Sequence, residues 1–409
     1  MSNRIVITGM GAVTPIGTGV RNYWENLIAG KSGIGAVTRF DTAGLPVKVA
    51  AEVRDFVPEE HGVPRRLAKD SALFSRYAYA AAAEALAQSG LDCRAETTRT
   101  GIVMGTAMSG VAETAAEQAA VCASGELKVS PRFVPKILGN IAAAQIAIEN
   151  GIGGPSFTVS TACSSGGDAI KLAAMLLRAG EADAMLAVGA ESILCQLVTS
   201  SLSMARALSR SEDPETACCP FDVKRNGFVM GEGGGALMLE TEEHALRRGA
   251  PVLGVLLAAA NNNDAYHITS PAPDGHGADA CMRDALRAAG LAPADIGYIN
   301  AHGTSTPVGD SLEIAAIKRV FEGCRPAVSS TKAATGHMMG AGGITEVIAC
   351  LMACREGLLP ATLRLSEADP ACEGADLITG EARRCPVKAA MSNAFGFGGQ
   401  NSCVIVSAR

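Results

Sequence analysis

Aromatic side chains and long apolar segments are both scarce in this chain. Only 4% of its 409 residues are aromatic, although 48% are hydrophobic. The longest apolar stretch, residues 252–260, is far shorter than the roughly 20 residues that a membrane helix needs, so we predict no membrane contact. No apolar leader with a cleavage site follows Met1, and we therefore expect a cytoplasmic protein.

An excess of positive charge is also lacking. The chain has 35 Lys and Arg residues against 41 Asp and Glu residues, a formal net charge of −6. Proteins that bind nucleic acid carry basic surfaces that neutralise phosphates. The composition therefore gives no reason to expect a nucleic acid partner.

The thirteen cysteines lack the spacing of metal and redox motifs. Cys218 and Cys219 are adjacent, and Cys350 and Cys354 are one helical turn apart, whereas thiolate zinc sites favour pairs with two intervening residues. An odd number of unpatterned cysteines suits a reducing compartment. We expect no structural metal held by thiolates and no cofactor.

Strand and helix patterns alternate along the whole chain, which predicts an α/β layered fold. No charged or Pro/Ser-rich linker divides it, so we expect two closely packed halves, residues 1–250 and 251–409. Apolar β-type runs predict strands at 5–8, 100–104, 184–188, 236–239, 252–258, 298–301, 327–329, 389–393 and 402–406. Apolar periodicity predicts helices at 71–89, 145–149, 168–179, 278–289, 312–321 and 343–355.

Two glycine-rich segments do not fit nucleotide-binding motifs. Residues 9–14 have two glycines after a strand, but Thr14 replaces the third glycine and Pro15 follows where a helix should begin. Residues 231–235 lack the Lys-Ser/Thr ending of a phosphate loop. We expect close backbone packing there instead.

Cys163 differs from the other cysteines by its context. An apolar, β-branched run leads into Thr-Ala-Cys-Ser-Ser at residues 161–165, and a helical pattern follows. A thiol at a helix start faces free backbone N–H groups, whose partial positive charge favours the thiolate. We therefore predict that Cys163 is a nucleophile with a lowered pKa.

Two histidines and a lysine occur on turns after predicted strands. His302 begins a His-Gly-Thr-Ser-Thr turn at residues 302–306, and residues 329–340 carry both Lys332 and His337. A thiol, two imidazole donors and an ammonium suit acyl transfer and the stabilisation of a carbanion.

These motifs resemble the β-ketoacyl-acyl carrier protein synthases, and more closely the type II elongating enzymes of fatty acid synthesis. The resemblance covers essentially the whole chain and includes Asn-Ala-Phe-Gly-Phe-Gly-Gly at residues 393–399. It implies a thiolase-like fold, with two βαβαβαββ halves packed as a five-layer αβαβα sandwich. It also implies a homodimer and an acyl carrier protein as partner.

The resemblance assigns chemical roles as well. Cys163 would hold the acyl chain as a thioester, and decarboxylated malonyl-carrier protein would attack it to add two carbons. His302 and His337 would stabilise the enolate, while Lys332 would pair with Glu346. Backbone N–H groups of Cys163 and Phe397 would form the oxyanion hole, and Phe397 would gate the pocket. Two hydroxyl residues of the His302 turn, Thr304 and Thr306, would support the catalytic residues.

Further positions match the family in surrounding roles. Met108 would limit the acyl pocket. A basic patch for the acidic carrier protein would comprise Arg65, Arg66 and Lys69. A monovalent cation would lie near Asn300, Glu346, Ser392 and Asn393.

Some residues depart from the family pattern and leave alternatives open. Gln400 replaces a common threonine, and Asn226 replaces a common acidic residue, which leaves room for a ketosynthase of a type II polyketide or polyene pathway, also as a heterodimer with a related subunit. Residues 264–271 favour the fatty acid enzymes. Cys163 argues against a non-catalytic chain-length-factor-like partner, and Lys332 against a biosynthetic thiolase.

Overall fold

The computed structural model describes residues 4–409. Its strands are β1 (Ile5–Thr14), β2 (Gly17–Thr18), β3 (Ile34–Ala36), β4 (Val49–Ala51), β5 (Thr100–Gly105), β6 (Ser156–Val159), β7 (Ala184–Glu191), β8 (Gly233–Thr241), β9 (Gly254–Asn263), β10 (Ile296–Asn300), β11 (Ala327–Ser329), β12 (Leu358–Leu359), β13 (Asp376–Leu377), β14 (Arg383–Arg384), β15 (Ala389–Gly396) and β16 (Gln400–Ser407). Its α-helices are α1 (Val20–Ile28), α2 (Arg65–Asp70), α3 (Leu73–Ser89), α4 (Val111–Ser124), α5 (Phe133–Ile137), α6 (Ile141–Asn150), α7 (Ser165–Arg178), α8 (Gln196–Met204), α9 (Glu242–Arg247), α10 (His276–Ala289), α11 (Pro307–Val320), α12 (Lys332–Thr335) and α13 (Gly342–Glu356).

One strand order occurs twice in the sheet. The first half gives β6-β5-β7-β8-β1, and the second gives β11-β10-β15-β16-β9. In each half the last strand pairs antiparallel with the first strand, as β8 does with β1 and β16 does with β9. It also pairs antiparallel with the strand before it, β7 or β15. Strands joined by a crossover helix pair in parallel, as β5 does with β6 and β10 does with β11. Each half therefore has the βαβαβαββ topology that the resemblance implied. The halves join where residues 5–7 of β1 pair with residues 254–256 of β9.

Helices lie on both faces and between the two halves of the sheet. Helices α7 and α13 contact each other and strands of both halves, so they form the central layer. Helix α3 covers the outer face of the first half, and α10 and α11 cover the outer face of the second. This five-layer thiolase-like sandwich confirms the predicted fold.

Close packing of the backbone explains why glycine occurs in the segments 9–14 and 231–235. A Cβ atom at Gly9 or Gly11 would lie 2.0 Å or 1.9 Å from a carbonyl oxygen of α3. A Cβ at Gly231 would lie 2.5 Å from the carbonyl oxygen of Thr335. Glycine at these positions lets helices approach the strands.

The predicted elements are present, and most are longer than predicted. Strand β11 has the predicted limits, whereas β1 continues to Thr14 through the glycine segment. The apolar stretch at 252–260 becomes part of the buried strand β9. None of the helices within residues 4–409 combines the length and apolar character that crossing a bilayer requires. The division at residue 250 falls between α9 and β9 and stays a prediction.

Candidate active site

Cys163 lies in a short 3-10 turn, Ala162–Ser164, directly before α7. Strand β6 ends at Val159, and residues 160–161 connect it to this turn. Ala162 has a φ of 51°, a left-handed conformation that is uncommon for residues other than glycine. The turn leaves Cys163 only 7% exposed, inside an apolar cluster with Val198, Leu202 and Met339.

The Cys163 thiol does not have the lowered pKa that its place at a helix start suggested. Burial raises its pKa to about 11, although the backbone N–H groups of Phe397 and Cys163 and the charge of Lys332 act in the opposite direction. Removal of the thiol from water outweighs these stabilising groups. The sulfur is therefore a neutral thiol near pH 7, and its proton must leave during the reaction.

His302 and His337 come from turns in the second half of the chain. The Nε2 atom of His337 lies 3.0 Å from Cys163 Sγ. The two imidazole rings are nearly perpendicular, with centroids 5.3 Å apart. The backbone N–H of His337 donates to the Val229 carbonyl at 2.7 Å, and its carbonyl accepts from the Gly231 N–H at 2.9 Å. These bonds fix the turn that carries His337 against the first half.

Both histidines are neutral in this environment. Burial lowers the pKa of each ring well below its usual value, and the Lys332 ammonium lowers both further. Within residues 4–409, neither Nδ1 atom has a hydrogen-bond partner. Unpaired buried N–H groups are rarer than unpaired acceptors, so we assign the proton of each ring to Nε2. Each ring can then donate an N–H without carrying charge.

Lys332 and Glu346 form a buried ion pair between α12 and α13. Lys332 Nζ lies 2.5 Å from Glu346 Oε1, and both side chains are almost inaccessible. Burial raises the pKa of Glu346, while Lys332 opposes that effect. The predicted pairing of these two residues is present.

Glu313 is a site residue that the sequence interpretation missed. Its carboxylate accepts the backbone N–H groups of His302 and Gly303, each at 2.8 Å. Asn393 Nδ2 donates to the same carboxylate at 3.2 Å. Glu313 lies on the buried face of α11 with Ile317, and an acidic residue on an apolar helix face was the available signal. Its bonds hold the His302 turn in place.

The two threonines of the His302 turn contact each other. Their Oγ1 atoms are 3.2 Å apart, and the Thr306 N–H donates to Asp310 at 3.3 Å. Thr304 is buried. These contacts hold the shape of the turn, and the supporting role of the two threonines stays a prediction.

Phe397 lies on the tight turn between β15 and β16, beside Cys163. A Cβ atom at Gly396 would lie 3.1 Å from the Cys163 backbone nitrogen, so glycine permits this close approach. Gly398 and Gly399 have φ values of 85° and 71°. The Phe397 ring is 37% exposed and therefore is not a core aromatic.

Met108 and the basic patch lie on the surface. Met108 is 37% exposed, and its N–H donates to the buried Glu191 carboxylate at 3.1 Å. A groove of about 1090 Å³ between α4 and α8 is lined by several members of the Cys163 cluster but not by Met108. The three basic residues of α2 are exposed, and Arg66 pairs with Glu149 at 2.7 Å.

The residues of the predicted cation site offer oxygen ligands. Asn300 and Ser392 are opposite each other in β10 and β15, and Asn393 follows directly. Within residues 4–409, the Oδ1 atoms of Asn300 and Asn393 are buried without a partner. Oxygen donors suit a hard cation, so these residues fit the predicted ion, although Glu346 is engaged by Lys332.

Comparison with known proteins decides the family. The N-terminal domain model of the beta-ketoacyl synthases matches residues 2–245, and the C-terminal domain model matches residues 253–366. The chain belongs to the β-ketoacyl synthase family. It is 40% identical over 408 residues to 3-oxoacyl-[acyl-carrier-protein] synthase 2 of Coxiella burnetii, covering 99% of this chain and 98% of that protein.

Solved structures of two β-ketoacyl synthases from polyketide systems share the fold. The ishigamide ketosynthase/chain length factor matches with a TM-score of 0.92 and 33% identity, covering 99% of each chain. A type II polyketide ketosynthase, AntDE, in complex with its acyl-carrier protein AntF, matches with a TM-score of 0.91 and 30% identity, again covering 99% of each chain.

Proposed function

We propose that this β-ketoacyl synthase is a 3-oxoacyl-[acyl-carrier-protein] synthase of fatty acid synthesis. It would condense malonyl-carrier protein with an acyl chain on Cys163 and lengthen that chain by two carbons. The observation that carries this proposal is the 3.0 Å contact between Cys163 Sγ and His337 Nε2, with the His302 ring beside it. The whole-chain identity to a 3-oxoacyl synthase supports the same reaction.

Acyl loading begins at the Cys163 sulfur. The Cys163 proton passes to solvent, and the His337 N–H donates to the resulting thiolate as the sulfur attacks the thioester of the acyl-carrier protein. The backbone N–H groups of Cys163 and Phe397 lie against the sulfur and would stabilise the oxyanion of the tetrahedral intermediate. The carrier thiolate then leaves and takes up the proton that Cys163 gave up.

Condensation then uses both histidines. As malonyl-carrier protein loses carbon dioxide, the electrons of the broken bond become an enolate, whose oxygen accepts N–H bonds from His302 and His337. The enolate carbon attacks the Cys163 thioester, and the cysteine thiolate leaves. Burial keeps both rings uncharged for this role, and the Lys332 ammonium adds to that effect. A monovalent cation at Asn300, Ser392 and Asn393 would add positive charge near Glu346.

We also infer a homodimer in a reducing, cytoplasmic compartment. Strand β6 pairs with β5 on one side, and within residues 4–409 no strand pairs with its other side. Exposed edges with apolar side chains favour pairing with another chain. Phe157 of β6 is 48% exposed and Ile148 of α6 is 71% exposed. All thirteen cysteines are free, which supports the compartment.

A ketosynthase of a polyketide or polyene pathway is the second candidate, because solved structures from such systems share the fold closely. The test is intact-protein mass spectrometry of the purified chain mixed with acyl-carrier proteins, followed by malonyl-carrier protein. Saturated chains that load on Cys163 and gain two carbons support the fatty acid enzyme. Loading restricted to polyenoyl or aryl chains, or dependent on a partner subunit, supports the second candidate.

A further inference from the structure

We propose that Cys163, His302 and His337 form a zinc-binding site that competes with acyl loading. One ligand atom from each of these residues lies within 4.8 Å of the other two. Cys163 Sγ and His337 Nε2 are 3.0 Å apart. The three residues are far apart in sequence, which is why cysteine spacing could not reveal the site.

The geometry is close to that of a three-ligand zinc site. Zinc binds cysteine sulfur at about 2.3 Å and histidine nitrogen at about 2.0 to 2.1 Å, so a tetrahedral ion separates such ligands by about 3.3 to 3.6 Å. The sulfur and His337 would move apart by about half an ångström, and a pair 4.8 Å apart would close by about 1.2 to 1.5 Å. Rotations about the side-chain bonds of the three residues would supply these movements. Two histidines and one cysteine with an open fourth position match zinc sites that exchange a ligand.

The surroundings balance the charge of the ion. Zinc at Nε2 of each ring would shift that ring's proton to Nδ1, which has no other partner within residues 4–409. Zinc would also displace the thiol proton of Cys163 to solvent, and one net positive charge would remain. Glu346, 2.5 Å from Lys332, offsets part of the ammonium charge, although burial and the remaining Lys332 charge both lower the pKa of the two rings. The Glu313 carboxylate, which holds the His302 turn at 2.8 Å, supplies the remaining negative charge. Burial of an ion without such compensation would be strongly unfavourable.

The sulfur and nitrogen ligand atoms also determine which metal ions the site would bind. Met339 Sδ lies 3.8 Å from Cys163 Sγ, so sulfur and imidazole ligands surround the central position. Soft ligands favour thiophilic ions over magnesium and calcium, which prefer oxygen. Zinc on the sulfur would prevent acylation, and an acylated sulfur would not bind zinc. This inhibition rests on the proposed function, whereas the metal site rests on the three side chains alone.

The test is metal binding by the full chain without substrates. Equilibrium dialysis against zinc should give one ion per chain, and cobalt in its place should produce a thiolate-to-metal charge-transfer band in the near ultraviolet. Cys163→Ala and His337→Ala should each lose the ion and the band. Cys122→Ala and His267→Ala change an exposed thiol and an exposed imidazole, and they should keep both. Circular dichroism checks that each variant is folded.

Competition provides the second measurement. Zinc at one equivalent should slow acylation of Cys163 by acyl-carrier protein at least tenfold, and a chelator should restore the rate. Equal zinc binding by wild type and Cys163→Ala, or a cobalt spectrum without the thiolate band, would overturn the metal site. A chain that binds zinc on these residues but never accepts an acyl group would keep the site and refute the condensing function.

Discussion

At the scale of single residues, the chemistry of the site depends on the protonation of one buried sulfur. The helix start at Cys163 predicted a lowered pKa, but burial raises it to about 11. The sequence pattern distinguished this cysteine from the other twelve, and the structure places its sulfur 3.0 Å from His337 Nε2. It could not reveal how much water the folded chain removes from that cysteine.

Alkylation of Cys163 should therefore depend steeply on pH. The reactive thiolate is a small fraction below the pKa, so the rate with iodoacetamide should rise about tenfold per pH unit between pH 7 and pH 9. Peptide mass spectrometry of the Cys163 peptide measures this rate, and Cys163→Ala identifies the signal. A rate that levels off below pH 8 would mean that the helix start outweighs burial.

The histidines should retain part of the chemistry without the nucleophile. Cys163→Gln should abolish condensation, yet release of carbon dioxide from malonyl-carrier protein should continue, because His302 and His337 still donate to the enolate. Adding His337→Ala should lower that release about 100- to 1000-fold, the usual effect of losing one such donor. Equal release by the single and double variants would remove His337 from the enolate step.

At the scale of secondary-structure elements, local patterns were sufficient for most of the fold. Apolar runs and helical periodicity located the core strands and the layered helices, because each element buries its own apolar face. Such local patterns could not predict contacts between elements that are distant in the sequence. Glu313 of α11 and Glu191 of β7 hold turns through backbone N–H groups whose positions depend on the assembled fold.

The ion pair between α12 and α13 should contribute measurably to the free energy of unfolding. Lys332→Met would leave the buried Glu346 carboxylate without its partner, and we expect a loss of about 3 to 5 kcal/mol in the free energy of unfolding. Urea denaturation measures this loss. Combining Lys332→Met with Glu346→Leu should recover most of it, since the buried charge is removed. An equally unstable double variant would show that packing, and not charge, is responsible.

At the scale of the whole molecule, the exposed edge of the sheet predicts the assembly. Phe157→Asp would place a charge at an exposed residue of the edge strand β6, so the wild type should run as a dimer and the variant as a monomer. Size-exclusion chromatography with light scattering distinguishes the two masses. Leu246→Asp, a charge at a similarly exposed residue of α9, is the control and should remain dimeric.

The basic residues of α2 predict how the carrier protein docks. Arg65→Glu combined with Lys69→Glu should raise the KM for acyl-carrier protein about tenfold at low salt, with little change in kcat, because rim charges mainly steer association. Steady-state condensation assays measure both constants. Lys388→Glu changes an exposed lysine elsewhere and should leave KM unchanged. A KM that responds equally to both variants would place the carrier protein on another surface.

The contact between the two central helices has a consequence for how this enzyme can evolve. A Cβ atom at Gly343 of α13 would lie 2.6 Å from the backbone nitrogen of Gly167 of α7, and a Cβ at Gly166 would lie 2.6 Å from the carbonyl oxygen of Gly340, in the turn between His337 and α13. Main chain meets main chain there, so the distance between nucleophile and imidazole does not depend on the sizes of neighbouring side chains. Substitutions in the apolar cluster around Cys163 should therefore change its packing while the two backbone segments keep their positions.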